Sequence, residues 1–215
     1  MEDQTEVDLT IIRNIVSQAI SGLRAFHRLD MLHQDIKPGN IMITADGLVK
    51  IVDFGSTKIA GIADISTPIE RKELLGTKNY TAPEYLIEQA GTTQSDLFAL
   101  GCIVYEMITG KLPYGDALAR ASDQRSLNRL KYIPISHSVN TIPHWVDKAI
   151  RTAVQVDPTN RYEKLSELES DLRKPNPQYL KENQLPLLER NPLVFWKLLS
   201  GLLFMSNLVL LYFFS

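Results

Sequence analysis

The chain has 215 residues, with 23 Lys+Arg against 25 Asp+Glu for a net charge of -2 and a hydrophobic content of 44%. That length suits one medium domain plus an appendage, and the charge balance lacks the basic excess that binding to a phosphate backbone leaves, so no nucleic-acid partner is expected. A single cysteine, Cys102, excludes an internal disulfide framework and cysteine-rich zinc sites and suits a reducing compartment.

The acidic N-terminus, Met1-Glu2-Asp3-Gln4, lacks a basic n-region and an apolar h-region, so no signal peptide is expected. From Asp8 to Arg28 the apolar residues Ile12, Val16, Ala19, Ile20, Leu23 and Phe26 fall at helical spacing, with Asp8 or Thr10 as N-cap. Two short apolar runs follow, Ile41 to Ile43 and Val49 to Val52. The Asp46-Gly47 turn between them predicts a small hairpin. From Asp96 to Thr109 the pattern is helical and almost wholly apolar, with Gly110 and Pro113 to stop it, which predicts a helix buried all round. Helical patterns recur around Trp145 to Val154 and Leu165 to Leu172. The histidines His27, His33, His137 and His144 show no metal-ligand spacing.

Between Lys174 and Pro192 the prolines Pro175, Pro177, Pro186 and Pro192 stand among mixed charges, which is linker chemistry. From Leu198 to Phe214 no residue is charged and 13 of the 17 are large and apolar. As a helix this run is roughly 26 Å long against a hydrocarbon core of about 30 Å, and Phe195, Trp196 and a snorkelling Lys197 close most of the gap. Lys181, Arg190 and Lys197 flank the run on one side only, which predicts a single-pass anchor with the rest of the chain facing the cytoplasm, the alternative being a buried or interfacial helix; the bacterial resemblance described below makes the expected membrane the inner one. The expected organisation is therefore a lobe over 1–173, a linker over 174–192 and an anchor over 193–215.

The chemistry is concentrated between the first helix and the central one. His33-Gln34-Asp35-Ile36-Lys37-Pro38-Gly39-Asn40 precedes the hairpin, and Asp53-Phe54-Gly55 follows it. Phosphoryl transfer from a nucleotide needs positioning and charge neutralisation more than covalent chemistry. A carboxylate can orient an attacking hydroxyl and accept its proton, a second carboxylate with a carboxamide oxygen can hold Mg²⁺, and a lysine can meet phosphate charge. One loop carrying Asp35, Lys37 and Asn40, with Asp53 just past a hairpin, can bring these groups to one small volume.

This segment resembles the catalytic and magnesium loops of eukaryotic-type protein kinases. The resemblance continues through Gly76-Thr77-Lys78-Asn79-Tyr80-Thr81-Ala82-Pro83-Glu84, similar to the substrate-facing end of an activation segment. It extends to Asp96-Leu97-Phe98-Ala99-Leu100-Gly101 at the start of the central helix, with Phe98 where Trp is common, and to Asp157-Pro158-Thr159-Asn160-Arg161. It implies an α+β, mainly α-helical large lobe with a small β-hairpin at the catalytic loop, followed by the transmembrane helix. It also implies Asp35 as catalytic base, Lys37 on the γ-phosphate, Asn40 and Asp53 on magnesium, and Thr77 linking Asp35 and Lys37 to the substrate site. His33, Phe54, Gly55, Glu84, Asp96 and Arg161 are structural supports by the same resemblance, ATP and Mg²⁺ are the cofactors, and a protein is the substrate.

Ala82-Pro83-Glu84 separates this pattern from the small-molecule phosphotransferases, and Lys37-Pro38 with Gly76-Thr77 favours Ser/Thr over tyrosine. Gln34 replaces the usual arginine before the catalytic Asp, the residue that would pair with a phosphorylated activation loop. Ser66 and Thr67 read as ordinary loop polarity. No glycine-rich loop, strand lysine or partner glutamate precedes Asp8, so a small lobe is expected upstream in a longer protein and no activity is expected of this chain alone. Leu187 to Trp196 resembles the end of bacterial bifunctional kinase/phosphatases, which implies a metal-dependent phosphatase domain upstream as well. The alternative is a membrane-tethered, non-catalytic binding module with a kinase-like surface.

Overall fold

The first helix is set by its cap. The Asp8 carboxylate accepts the backbone N–H of Thr10 at 2.7 Å and of Ile11 at 3.3 Å, so of the two candidate caps Asp8 is the one used. The structure, a computed structural model, describes residues 7–53, 58–59, 77–177 and 192–214. Within them the chain forms α1 (Leu9–His27), β1 (Met31–Leu32), β2 (Ile41–Ile43), β3 (Val49–Ile51) and β4 (Lys58–Ile59). The helices α2 (Pro83–Leu86), α3 (Thr93–Thr109), α4 (Gln124–Leu127), α5 (His144–Ala153), α6 (Leu165–Arg173) and α7 (Pro192–Phe214) follow. The fold is mainly helical with few strands, as expected.

Ile12, Val16, Ala19, Ile20 and Leu23 form the buried stripe of α1, while Phe26, expected to share it, is half-buried. The central helix α3 begins three residues ahead of the expected Asp96. Thr92 and Ser95 cap each other: the Thr92 side chain accepts from Gln94 N–H at 3.2 Å, and the Ser95 hydroxyl accepts from Thr92 N–H at 2.9 Å. Gly110 ends the helix in the left-handed conformation, φ 65°, as its lack of a Cβ allows. Every residue from Ser95 to Tyr105 is buried, and Cys102 lies in this core as a small hydrophobe, its thiol pushed up by burial.

Helix α3 packs against α1 and α5, and α6 packs against α1 and α5, so the four close around one apolar centre. Helix α3 comes close to the end of α5 at Gly101, where a Cβ would lie 2.8 Å from Val154 Cγ1 and 3.0 Å from Ala153 Cβ. The hairpin β2–β3 is antiparallel with Met42 opposite Lys50, and Gly47 at φ 81° makes its turn. Gln18 of α1 holds it down: Oε1 accepts Val49 N–H at 3.0 Å and Nε2 donates to Gly47 O at 3.1 Å. The two-residue ladder between β1 and β4 has no counterpart in the sequence reading.

A buried ion pair joins α2 to the turn before α6. Arg161 commits all five N–H donors: Nη1 and Nη2 to the Glu84 carboxylate at 2.9 and 2.7 Å, and the rest to the carbonyls of Gln94, Gln155 and Val156. Its guanidinium lies 4.8 Å from the Phe98 ring centre. Burial pushes the Glu84 carboxyl up, but the Arg161 guanidinium and the Ser95 hydroxyl, at 2.6 Å, more than offset this and hold it below the usual carboxylate value.

The chain divides into two units, Met1–Lys174 and Pro175–Ser215, and α7 belongs to the second. The expected linker falls mostly outside the described residues. Among the described residues no helix is long and apolar enough to cross a membrane, and the side chains beyond Ser206 lie outside that set.

Two outcomes follow for stability. Gly101→Ala is expected to lower the unfolding free energy by about 1–3 kcal/mol through overpacking, against an intrinsic helix preference for Ala of about 1 kcal/mol, which a fall in the urea midpoint would report; a raised midpoint contradicts the close approach. Glu84→Gln is expected to cost about 3–5 kcal/mol at neutral pH by leaving Arg161 buried without its counter-charge. Because the folded-state pKa of Glu84 is depressed, its stabilisation is present above the ordinary 4.5 and is lost as pH falls through the folded value. Denaturation curves across that range should therefore be steeper with pH in the wild type than in the variant.

Candidate active site

The loop between β1 and β2 carries His33 to Asn40, and its shape is imposed from below. Gln34 has φ 68°, a left-handed conformation that a non-glycine residue keeps only where its surroundings hold it. The holding group is Asp96, 1% exposed in the first turn of α3. Asp96 Oδ2 accepts His33 N–H at 3.0 Å and Oδ1 accepts Gln34 N–H at 2.9 Å. His27 Nε2, at the end of α1, lies 2.9 Å from Oδ2 and completes the cluster. The sequence reading singled out Asp96 and His33 but not His27, whose signal was a histidine in the last turn of a helix six residues before His33.

Buried His33 and Ile36 fix the loop to the core, and the residues between and after them converge. Lys37 Nζ lies 2.7 Å from Asp35 Oδ2. Asn40, buried at 4% exposure, donates Nδ2 to Asp35 O at 2.7 Å and to Asp35 Oδ2 at 3.2 Å. Two donors thus meet one carboxylate oxygen. Val52 N–H donates to Asn40 O at 2.9 Å, which extends the hairpin and sets Asp53, exposed and at φ 64°, beside Asn40.

The donor set fits a magnesium ion. Asn40 commits its Nδ2 protons to Asp35, so the atom it could offer a cation is Oδ1, and with the Asp53 carboxylate it would supply two hard oxygen ligands. Among the described residues no group of three His, Cys, Asp or Glu is placed to hold a metal. Two protein ligands with the remainder from phosphate and water is the usual arrangement for Mg²⁺ at a nucleotide.

Thr77 opens the 3-10 turn Thr77–Asn79, and its side chain lies outside the described residues, as do Phe54 and Gly55. The turn is tied to α3 by a contact the sequence did not suggest. Tyr80 OH donates to Glu106 Oε2 at 2.6 Å, and burial followed by this bond pushes the phenol well above its ordinary value. Glu84 and Arg161 stand away from the loop as the buried pair already described, joined to it through Ser95 beside Asp96 on α3.

Asp96→Asn removes one of two carboxylate oxygens from a place where both accept backbone N–H groups. Losing an acceptor in a buried site costs about 1–3 kcal/mol, so amide exchange at His33 or Gln34 should speed up by about tenfold or more in the variant. Unchanged protection at both would contradict the role given to Asp96.

A family model described as protein kinase domain matches residues 1–171. The serine/threonine-protein kinase PknA of Corynebacterium glutamicum is 36% identical over 151 residues, 69% of this chain and 30% of that protein. PknB of Mycobacterium leprae is 34% identical over 159 residues, 74% of this chain and 25% of that protein. A probable PknB of Bifidobacterium longum is 33% identical over 183 residues, 80% and 26%. The chain thus spans less than a third of the length of these relatives. The match over 1–171 takes in the loop, the hairpin, the central helix and the buried pair: the chain belongs to the protein kinase domain family.

Proposed function

We propose that this lobe transfers the γ-phosphate of ATP to a serine or threonine hydroxyl of a protein substrate. The observation that carries the reading is the convergence of Lys37 Nζ and Asn40 Nδ2 on one oxygen of Asp35. With Oδ2 so held, the carboxylate has a fixed orientation, and Oδ1 is the atom that would accept the proton of the attacking hydroxyl. Lys37, beside that oxygen, is placed to meet charge on the transferred phosphate. Asn40 Oδ1 and Asp53 would hold Mg²⁺, which supplies charge neutralisation on the phosphates when bound. Thr77 is assigned to the substrate side, and His33, Phe54 and Gly55 to support of the two loops, on the strength of the motifs in which they stand.

The finer parts of the proposal concern the setting. The relatives' greater length favours a longer polypeptide in which a small lobe completes the nucleotide site. The resemblance of Leu187 to Trp196 to bifunctional kinase/phosphatases adds a phosphatase domain to it. The uncharged run Leu198 to Phe214, with Lys181, Arg190 and Lys197 on one flank, favours a single membrane-spanning helix with the lobe at the cytoplasmic face.

The test is transfer of labelled phosphate from Mg²⁺-ATP to a protein substrate by the full-length protein. Label is expected on Ser and Thr, and Asp35→Asn should reduce the rate by at least about 10²-fold, the contribution usual for a positioned proton acceptor. Transfer that survives this substitution would refute the assignment of Asp35.

A further inference from the structure

The segment that follows α3 carries a charge pattern that the candidate site does not use. Its ends are tied by Ile133 N–H, which donates to Pro113 O at 2.9 Å. Its side chains Tyr114, Leu118, Ala121 and Leu127 are buried with Phe98 and Cys102 of α3 and with Val154. With those residues turned inward, Lys111, Arg120, Arg125, Arg129 and Lys131 are left exposed on the outside. The acidic residues among them are already engaged. Asp116 lies 3.5 Å from Arg120, and Asp123 caps α4 through Ser126 N–H at 2.7 Å, with Arg129 near it. Among the described residues Lys111, Arg125 and Lys131 have no carboxylate in ion-pair contact. Arg151 adds another cation at the foot of the segment, its guanidinium 5.9 Å from the ring centre of Tyr132. The chain as a whole is slightly acidic, at -2, so the surplus is local to this surface.

We propose that this basic surface docks an acidic segment of the protein substrate, at a distance from the hydroxyl that is phosphorylated. The inference rests on the phosphotransfer reading given above and adds a substrate class to it. The chemistry of the surface selects the occupant. Three of its five exposed cations are arginines, whose forked guanidinium matches a carboxylate. Arg125 and Arg129 stand four residues apart across α4, neighbours on one side of a helical turn, and can take acidic side chains of one peptide. No large hydrophobic residue between 111 and 131 is exposed, so the surface lacks the apolar anchors by which a segment enters a membrane interface. A continuous phosphate backbone would be repelled by Asp116 and Asp123, whereas spaced carboxylates can avoid them. Helix α3 is roughly 25 Å long, with the Asp35 loop tied to its first turn and the basic segment following its last. About eight extended residues of a substrate would span that length, and the docked segment would hold the hydroxyl at high local concentration.

The experiment titrates the full-length protein with fluorescent octaglutamate and octaglutamine and reads binding by anisotropy. Phosphotransfer is measured on two acceptor peptides, each with one serine and a Gly-Ser linker of about sixteen residues, a span of roughly 22 Å, ending in eight Glu or eight Gln. Octaglutamate is expected to bind, and the Glu-tailed acceptor to show a KM about tenfold lower at equal kcat. Arg125→Gln with Arg129→Gln should reduce both effects about fivefold. Arg24→Gln with Arg28→Gln, an exposed pair of the same spacing at the end of α1, should leave them unchanged. Raising the ionic strength to about 0.5 M should weaken wild-type binding several-fold without any substitution. Octaglutamate that does not bind, or binds the Arg125/Arg129 double variant equally, overturns the docking surface and leaves the phosphotransfer reading standing. Binding without a KM difference between the two acceptors overturns the substrate as occupant. An oligothymidylate of equal charge bound as tightly as octaglutamate overturns the acidic peptide. Transfer to neither acceptor, with octaglutamate bound through Arg125 and Arg129, counts against the phosphotransfer reading and with it the substrate as occupant.

Discussion

The geometry of the candidate site depends on one buried carboxylate. Asp96 is enclosed by the core yet faces two backbone N–H groups and a histidine ring, and a polar group buried in that position is tolerable only because each of its oxygens is engaged. The same bonds hold Gln34 in a left-handed conformation that it would not keep in isolation. Turning the chain there is what lets Ile36 plug into the core while Asp35 and Lys37 stay partly exposed. A helix anchored by a mutual cap, Thr92 with Ser95, therefore decides where a loop some sixty residues earlier places its carboxylate.

Around this anchor the buried ion pair and the polar groups of the candidate site are kept apart. Glu84 and Arg161 are paired, buried and fully hydrogen-bonded, which makes them costly to change and chemically quiet. Asp35 and Lys37 are only partly covered and meet in a short contact, which leaves them accessible in a way that Glu84 and Arg161 are not. Gln18 and Asn40 serve both sets: one pins the hairpin to α1, and the other passes that position to Asp35.

What the sequence revealed and what it withheld divide along physical lines. Helix α1 and the core of α3 were legible because apolar residues recur at helical spacing, and the hairpin because Asp46-Gly47 separates two short apolar runs. The true start of α3 was not, because its first turn is polar and is made by side chains capping one another rather than by burial. The β1–β4 ladder and the short helices α2 and α4 lack enough residues to show a period and exist through tertiary contacts. At the site, the meeting of Asp35, Lys37 and Asn40 was readable from their place on one short loop. His27 with Asp96, Gln18 with Val49, and Tyr80 with Glu106 were not, because each pair meets only when segments 69, 31 and 26 residues apart are brought together.

The central claim is that Asn40 and Asp53 form, beside Asp35, the place where a nucleotide's metal sits. It is tested most directly by adding Mn²⁺-ATP to the isotopically labelled full-length protein and following paramagnetic broadening residue by residue. Selective broadening centred on Asp53 and Asn40, extending to Asp35 and Lys37 and fading toward Asp96, is the predicted result. Broadening centred elsewhere, or undiminished when Asp53 is replaced by Ala, would contradict it.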